Sequence, residues 1–238
     1  MIPKIVHISW VSEDIVDSKN PIVLNGLRNV IDMNPDWTVK INIDSDVRKY
    51  LRENLSLSDY ALLVDRPFVE LCDLWRLIKV YNEGGLYIDI DRYYNIPMHS
   101  VIDNDLIQLL LPINGDYDFS QDLICSAPGN PFLRAAIDLN TARRRAGSKN
   151  TYYLGAQTYM HAITQTLFGQ IIDTDPGQKV FADIKKHLSN IPFVKIYTEI
   201  LPNDTLVYRH NEETYLSGNG QGKVELYRDF AVRHWMED

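Results

Sequence analysis

Cysteine is scarce in this sequence, with Cys72 and Cys125 the only two. They form no ligand spacing and no disulfide framework, and each sits among apolar neighbours, where a thiol packs as a small hydrophobe. A reducing compartment fits that usage. Positive charge is also short: 24 Lys and Arg face 32 Asp and Glu, for a formal charge of −8. Such a field repels nucleic acid and anionic membrane, so either partner would need a concentrated basic patch. The dense one, Arg143-Arg144-Arg145 with Lys149 nearby, is too short to reverse this. It reads as the solvated end of a helix, where the dipole favours positive charge. No nucleic-acid partner is expected. No run approaches the ~18 apolar residues of a membrane span. The opening from Met1 to His7 lacks the basic-then-apolar layout of a signal peptide, so neither a leader nor a transmembrane segment is expected. Repeats, low-complexity tracts and linkers are missing too, which favours a single domain over residues 1–238.

What is present belongs to a globular core. The hydrophobic fraction is 45%, and 14 Tyr, 7 Phe and 4 Trp exceed what a tail or linker carries. Ile2 to Trp10 reads as a buried strand, Pro21 to Asn34 as a helix, and Trp37 to Ile43 alternates as a second strand. That order is a βαβ unit, which implies an α/β fold with a mostly parallel central sheet flanked by helices. Asp44 to Tyr60 suggests short helices and turns. Pro67 to Tyr81 is helical, with Leu71, Leu74, Trp75, Ile78 and Tyr81 at three- and four-residue steps, and Gly84-Gly85 stops it. Strands are expected at Leu86–Ile90 and Leu106–Leu111, and helices at Phe132–Arg145 and Gly155–Gln165. Beyond Gly169, strand-like pieces at Phe193–Tyr197 and Thr205–Tyr208 precede a flexible or tight turn at Gly218 to Gly222.

The sharpest chemistry lies in Asp73-Leu-Trp-Arg76 followed by Gly84-Gly85-Leu-Tyr-Ile-Asp89-Ile-Asp91. Asp73 and Arg76, three apart on a helix, share a face. Asp89 and Asp91 alternate around Ile90, so both carboxylates point one way if the strand persists, with Ile88 and Ile90 toward the core. The carboxyl end of a parallel strand is where open α/β folds bind ligands. Two such carboxylates suit Mg²⁺ or Mn²⁺, which keep positions open for phosphate oxygens and water. A cation there would stabilise a departing diphosphate, and the Arg76 fork could reach the same phosphates. An Asp-x-Asp pair alone could equally cap a strand, and Asp73 and Arg76 could merely pair on a helix surface. Their combination is what gives the pattern its specificity.

These residues resemble a known family, the glycosyltransferases with the DXD sugar-binding motif, which includes the yeast-type initiating mannosyltransferases. The catalytic domains of the large clostridial glucosylating toxins are more distant relatives. Residues Ile2 to Trp10 resemble the family's opening, and the block from Asp73 to Asp91 is its signature nearly unaltered. Pro128-Gly129-Asn130-Pro131 resembles its next loop, and Gly155-Ala156 stands where many members have Gly-Pro. Ala231 to Trp235 resembles a terminal block, although Met236-Glu237-Asp238 replaces the family's Ser-Trp. The likeness is dense only in residues 1–10 and 69–95.

The resemblance implies a single nucleotide-diphospho-sugar transferase domain of GT-A type. Its nucleotide-binding half would be about residues 1–110, and an acceptor-side and C-terminal closing half about 111–238. It implies a metal-dependent retaining transferase that moves a hexosyl or deoxyhexosyl group from a UDP-sugar, or a GDP-sugar, to a glycan or glycoprotein hydroxyl. Asp89 would contact ribose or sugar, Asp91 would bind Mn²⁺ or Mg²⁺, Asp73 would hydrogen-bond sugar hydroxyls, and Arg76 would reach sugar or diphosphate. His7, Ser9 and Trp10 match the nucleotide-binding position, with core packing as the other reading of Trp10 and His7. His234 would be a further metal or diphosphate contact, against a frayed acidic tail, with His210 competing on composition. Retention could proceed through a carboxylate nucleophile or through same-face attack. Asp122, Gln121 and Gln157 could line the sugar's other face, and the same-face route with Asp122 as an orienting group is preferred. Lys149, Tyr152 and Tyr153 would form an acceptor wall. The alternatives are a metal-dependent nucleotide-sugar hydrolase and a noncatalytic sugar-binding domain. A monomer is expected, and the lack of an anchor suits a cytoplasmic enzyme of bacterial or viral type.

Overall fold

The computed structural model describes residues 1–15, 20–94, 97–100, 102, 109–114, 118–119, 121–169, 194–197, 199–200, 206–210 and 213–218. His234 therefore lies outside the described residues. The chain begins with β1 (Ile5–Ser9), α1 (Pro21–Met33) and β2 (Thr38–Asn42), the βαβ unit expected from the alternation. Asn20 caps α1 by accepting from the Ile22 N–H at 2.9 Å, and Pro21 occupies the first turn, where its missing donor costs nothing. Helices α2 (Asp44–Asn54), α3 (Leu57–Ala61) and α4 (Phe68–Glu83) then lead to β3 (Gly85–Ile88). A short strand β4 (Arg92–Tyr94) follows, then β5 (Leu109–Asn114), β6 (Asp118–Phe119) and β7 (Leu123–Ser126). Helices α5 (Pro131–Arg145), α6 (Thr151–Leu154) and α7 (Ala156–Phe168) precede β8 (Val194–Tyr197), β9 (Glu199–Ile200), β10 (Leu206–His210) and β11 (Glu213–Gly218).

The central sheet has seven strands in the order β2-β1-β3-β7-β5-β6, with β8 also paired to β5. It is mixed. Strand β1 runs parallel to both β2 and β3, and β5 parallel to β8, whereas β7 is antiparallel to β3 and β5. A second, antiparallel sheet has the order β4-β11-β10-β9. Of the strand anticipated at Leu106–Leu111, residues 109–111 fall in β5 and residues 106–108 lie outside the described residues, while strands β7 and β11 carry no distinct periodicity in sequence.

Alternating side chains divide β3 and β7 between two cores, as a period of two requires. Leu86, Ile88, Leu123 and Cys125 pack with Trp10, Val23, Leu27 and Trp37 under α1. Tyr87 and Ile124 face the other way, toward Leu74, Trp75, Ile78, Leu133 and Tyr159 of α4, α5 and α7. Helix α4 is buried continuously from Glu70 to Val80. It ends at Gly84 and Gly85, both with positive φ (68° and 92°). A Cβ on Gly85 would lie 2.5 Å from the Ile5 carbonyl oxygen, so glycine is what lets α4 turn directly into β3 against β1.

One expectation is corrected here. Arg143 and Arg144 do not form a solvated helix end, because both are buried. Arg144 bonds Asn140 at 2.8 Å and Glu70 of α4 at 3.4 Å, and Arg143 stacks 3.7 Å from the Tyr153 ring centre. Only Arg145 is exposed, paired with Asp59 at 2.6 Å. The run crosses a helix whose packed face includes these positions, so position on the helix outweighs composition.

Candidate active site

Strand β1 lies between β2 and β3, so the chain leaves it toward opposite sides of the sheet. The carboxyl ends of β1 and β3 thus flank a topological switch point, the usual ligand crevice of such sheets. A cleft open to solvent lies there. Ser9 and Trp10 enter it from the end of β1, Asp89, Ile90 and Asp91 from beyond β3, and Phe68, Val69, Cys72 and Arg76 from α4. Trp10 is packed in the α1 core and also lines the cleft.

Strand β3 ends at Ile88, and Asp89 to Arg92 form a turn closed by the Arg92 N–H donating to the Asp89 carbonyl at 3.2 Å. The expected continuous strand is therefore replaced by a turn, yet Asp89 and Asp91 both still line the cleft, with Ile90 buried between them in sequence. Helix α1 supports this turn at Gly26, where a Cβ would meet the Ile90 carbonyl oxygen at 2.1 Å. The Asp89 N–H also donates to the Asp122 carbonyl at 2.9 Å, tying the turn to the start of β7.

Two arginines organise the carboxylates. Arg76 pairs with Asp73 at 2.9 Å and Asp89 at 3.5 Å, donates to the Gln121 carbonyl at 2.8 Å, and lies 4.5 Å over the Tyr87 ring. The Tyr87 hydroxyl donates to Asp89 Oδ1 at 2.6 Å, with Ser9 Oγ 3.5 Å away. Arg92 joins Asp91 at 2.8 Å to Asp122 at 2.5 Å, all three being buried. Burial pushes the Asp73 carboxyl up to about 6, against the pull of Arg76. The Cys72 thiol is held up at about 12 by the same cause.

His7 stands apart from the cleft wall. Its ring is buried, with Nε2 donating to the Gly84 carbonyl at 3.0 Å, and burial holds its pKa down at about 4. Its neutral form is the one the fold keeps. Gln157 lies in the first turn of α7, and Tyr152 and Tyr153 are exposed. His210 ends β10. Sequence reasoning assigned no role to Tyr87 or Arg92. Tyr87 was legible as the residue two before Asp89 on the strand, and Arg92 as the cation following the second carboxylate.

Among the described residues no three His, Cys, Asp or Glu side chains gather as a ready-made metal cage. Mg²⁺ and Mn²⁺ do not require one, since one or two carboxylates suffice when substrate phosphates and water complete the shell. The donor set fits on a further point. Asp91 Oδ1 is buried without a hydrogen-bond partner among the described residues, while its Oδ2 is held by Arg92. A bare buried carboxylate oxygen is costly unless something binds it.

Residues 23–108 match the family described as glycosyltransferase sugar-binding region containing DXD motif. The structure resembles that of PaToxG glycosyltransferase, with a TM-score of 0.51 at 19% identity over 78% of this chain and 75% of that one. The fold is that of a GT-A glycosyltransferase. Two Schizosaccharomyces pombe proteins are similar in sequence. Inositol phosphoceramide mannosyltransferase 1 is 26% identical over 137 residues, 57% of this chain and 42% of its own. Inositol phosphoceramide mannosyltransferase 3 is 24% identical over 141 residues, 57% of this chain and 36% of its own. The chain thus spans less than half the length of these relatives. No helix among the described residues is long and apolar enough to cross a membrane.

Proposed function

We propose that the protein is a metal-dependent retaining glycosyltransferase that uses a nucleotide-diphospho-sugar donor, with UDP-sugars favoured over GDP-sugars. The observation that carries this reading is the orphaned Oδ1 of Asp91, beside Asp89, in a cleft at the switch point of a GT-A fold. The two S. pombe relatives are named as inositol phosphoceramide mannosyltransferases, which keeps a mannosyl donor and a lipid-borne inositol acceptor within the reading.

Asp91 and Asp89 would hold Mn²⁺ or Mg²⁺, whose chemistry is to stabilise charge on the diphosphate leaving group. Trp10, which lines the cleft, would meet the base, and Ser9, beside Tyr87, would contact the nucleotide. Arg76 keeps Asp73 and Asp89 apart as anions and fixes both in orientation. Asp73 would accept hydrogen bonds from donor-sugar hydroxyls. Asp122 is held by Arg92 and acts on orientation, while the acceptor's proton leaves to the departing phosphate oxygen in a same-face displacement.

The test is nucleotide release from a panel of UDP- and GDP-sugars, with and without Mn²⁺. The wild type is expected to turn over at least one donor in metal, faster when a glycan acceptor is supplied, and Asp89→Asn to lose about 10²-fold or more. Turnover that no acceptor stimulates would favour hydrolysis instead.

A further inference from the structure

Residues 149–155 lie outside the cleft wall, yet side chains fix them at one point after another. Arg66 donates to the Lys149 carbonyl at 3.3 Å, and the Thr151 hydroxyl donates to Glu70 at 2.9 Å. Arg143 donates to the Tyr153 carbonyl at 2.7 Å, and Asn140 to the Leu154 carbonyl at 2.6 Å. Glu70, Asn140 and Arg143 are all buried. Burying charge is costly even when it is well bonded, so this is an expensive way to hold a surface turn.

What the turn delivers is Gly155. A Cβ there would lie 2.7 Å from Asp73 Oδ2 and 2.8 Å from Gln121 Nε2, inside ordinary contact with both. The other carboxylate oxygen of Asp73 is already engaged, by Arg76 at 2.9 Å and by Gln121 Nε2 at 3.1 Å. Asp73 is therefore pinned at Oδ1 and packed at Oδ2 against a bare backbone. Gly155 has a negative φ of −87°, and what a side chain there would meet is the Asp73 carboxylate and the Gln121 amide.

We propose that residues 149–155 are a positioning arch, in which Gly155 sets the orientation of the Asp73 carboxylate and so the way it meets the donor sugar. This rests on the donor-sugar role proposed for Asp73. Gly155 is a positioning residue: it acts through Asp73 and Gln121. Within α4, Arg76 holds the Oδ1 side of the Asp73 carboxylate, and the arch closes the space beside Oδ2 before the sugar arrives, which is preorganisation.

Gly155→Ala tests the idea in two ways. Crystal structures of the ligand-free wild type and variant should show the Asp73 carboxylate and the Gln121 amide displaced while the backbone of 149–154 stays in place. A shift of the arch backbone with Asp73 unmoved overturns the proposal. Calorimetry then compares UDP with UDP-glucose, and GDP with GDP-mannose, in Mn²⁺. The extra affinity that the sugar confers should fall about tenfold, as expected for one lost hydrogen bond to a charged group, with free nucleotide bound as before. Equal losses for nucleotide and nucleotide-sugar, or no loss, overturn it. If the wild type binds neither nucleotide, the donor reading fails while the crystallographic comparison still decides the arch. Should Gly155→Ala fail to fold, Gln121→Ala removes one of the two partners of Asp73 Oδ1, leaving Arg76, and must give the same split between nucleotide and nucleotide-sugar, or the proposal falls.

Discussion

His7 donates from Nε2 to Gly84 inside a buried stretch of β1, and a charged imidazole there would lose its hydration. Its pKa falls from the usual 6.5 to about 4 on folding. Between those values the unfolded chain takes up a proton that the folded protein refuses. Stability is thus full above about 6.5 and is lost as the pH falls toward 4. From pH 7 to pH 5 this one group removes about 2 kcal/mol. The burial of Asp73 acts in the opposite direction over part of that window, so the quantity to measure is a difference. The unfolding free energy of wild type minus that of His7→Gln, whose amide nitrogen reaches the same carbonyl, should shrink by about 2 kcal/mol between the two pH values. A difference independent of pH contradicts the account. At this scale the sequence was legible for Asp73 and Arg76, which pair as their interval implies, whereas Asp89 and Asp91 both line the cleft from a turn in place of the expected strand. It was not legible for Arg143 and Arg144, whose burial depends on partners far along the chain, Glu70 being 74 residues away from Arg144.

The turn from Asp89 to Arg92 is the element on which the site depends, and its support is indirect. Gly26 of α1 brings that helix against the Ile90 carbonyl, Asn29 on the same helix donates to the Tyr94 carbonyl at 2.8 Å, and the Asp122 carbonyl receives the Asp89 N–H. Gly26→Ala places a methyl group 2.1 Å from that carbonyl oxygen, so either α1 or the turn must move. Overpacking of this kind costs about 1–3 kcal/mol. The expected result is a lower melting temperature together with weaker nucleotide binding. A variant that melts earlier but binds nucleotide normally would show that α1 does not hold the turn. Pattern reading recovered α1, α4 and α5 nearly to the residue, since each has helical spacing over several turns. The end of β3 was hidden, because alternation continues through Asp91 although the backbone turns there, the Arg92 N–H bonding back to the Asp89 carbonyl. Strand β7 was hidden too, being four residues whose partners β3 and β5 come from elsewhere in the chain.

Across the whole molecule, the order of strands matters more than their number. With β1 between β2 and β3, the loops after β1 and β3 diverge, and the crevice they leave collects Ser9, Trp10, Asp89 and Asp91 from segments about 80 residues apart. Strands from late in the chain complete both sheets, β8 on β5 and β11 on β4. The surplus of acid, −8 in formal charge, makes the crevice a poor place for a bare diphosphate. A divalent cation on Asp89 and Asp91 would reverse the local sign. Nucleotide binding and metal binding should therefore be inseparable. The most direct test is calorimetric titration of UDP and GDP in Mn²⁺, in Mg²⁺ and in EDTA, with wild type and Asp91→Asn, which keeps the shape of the side chain and one acceptor for Arg92. The account predicts binding of at least one nucleotide in metal, lost in EDTA and lost in the variant. Binding that persists in EDTA or in Asp91→Asn, or the absence of binding by the folded wild type in either metal, would contradict it.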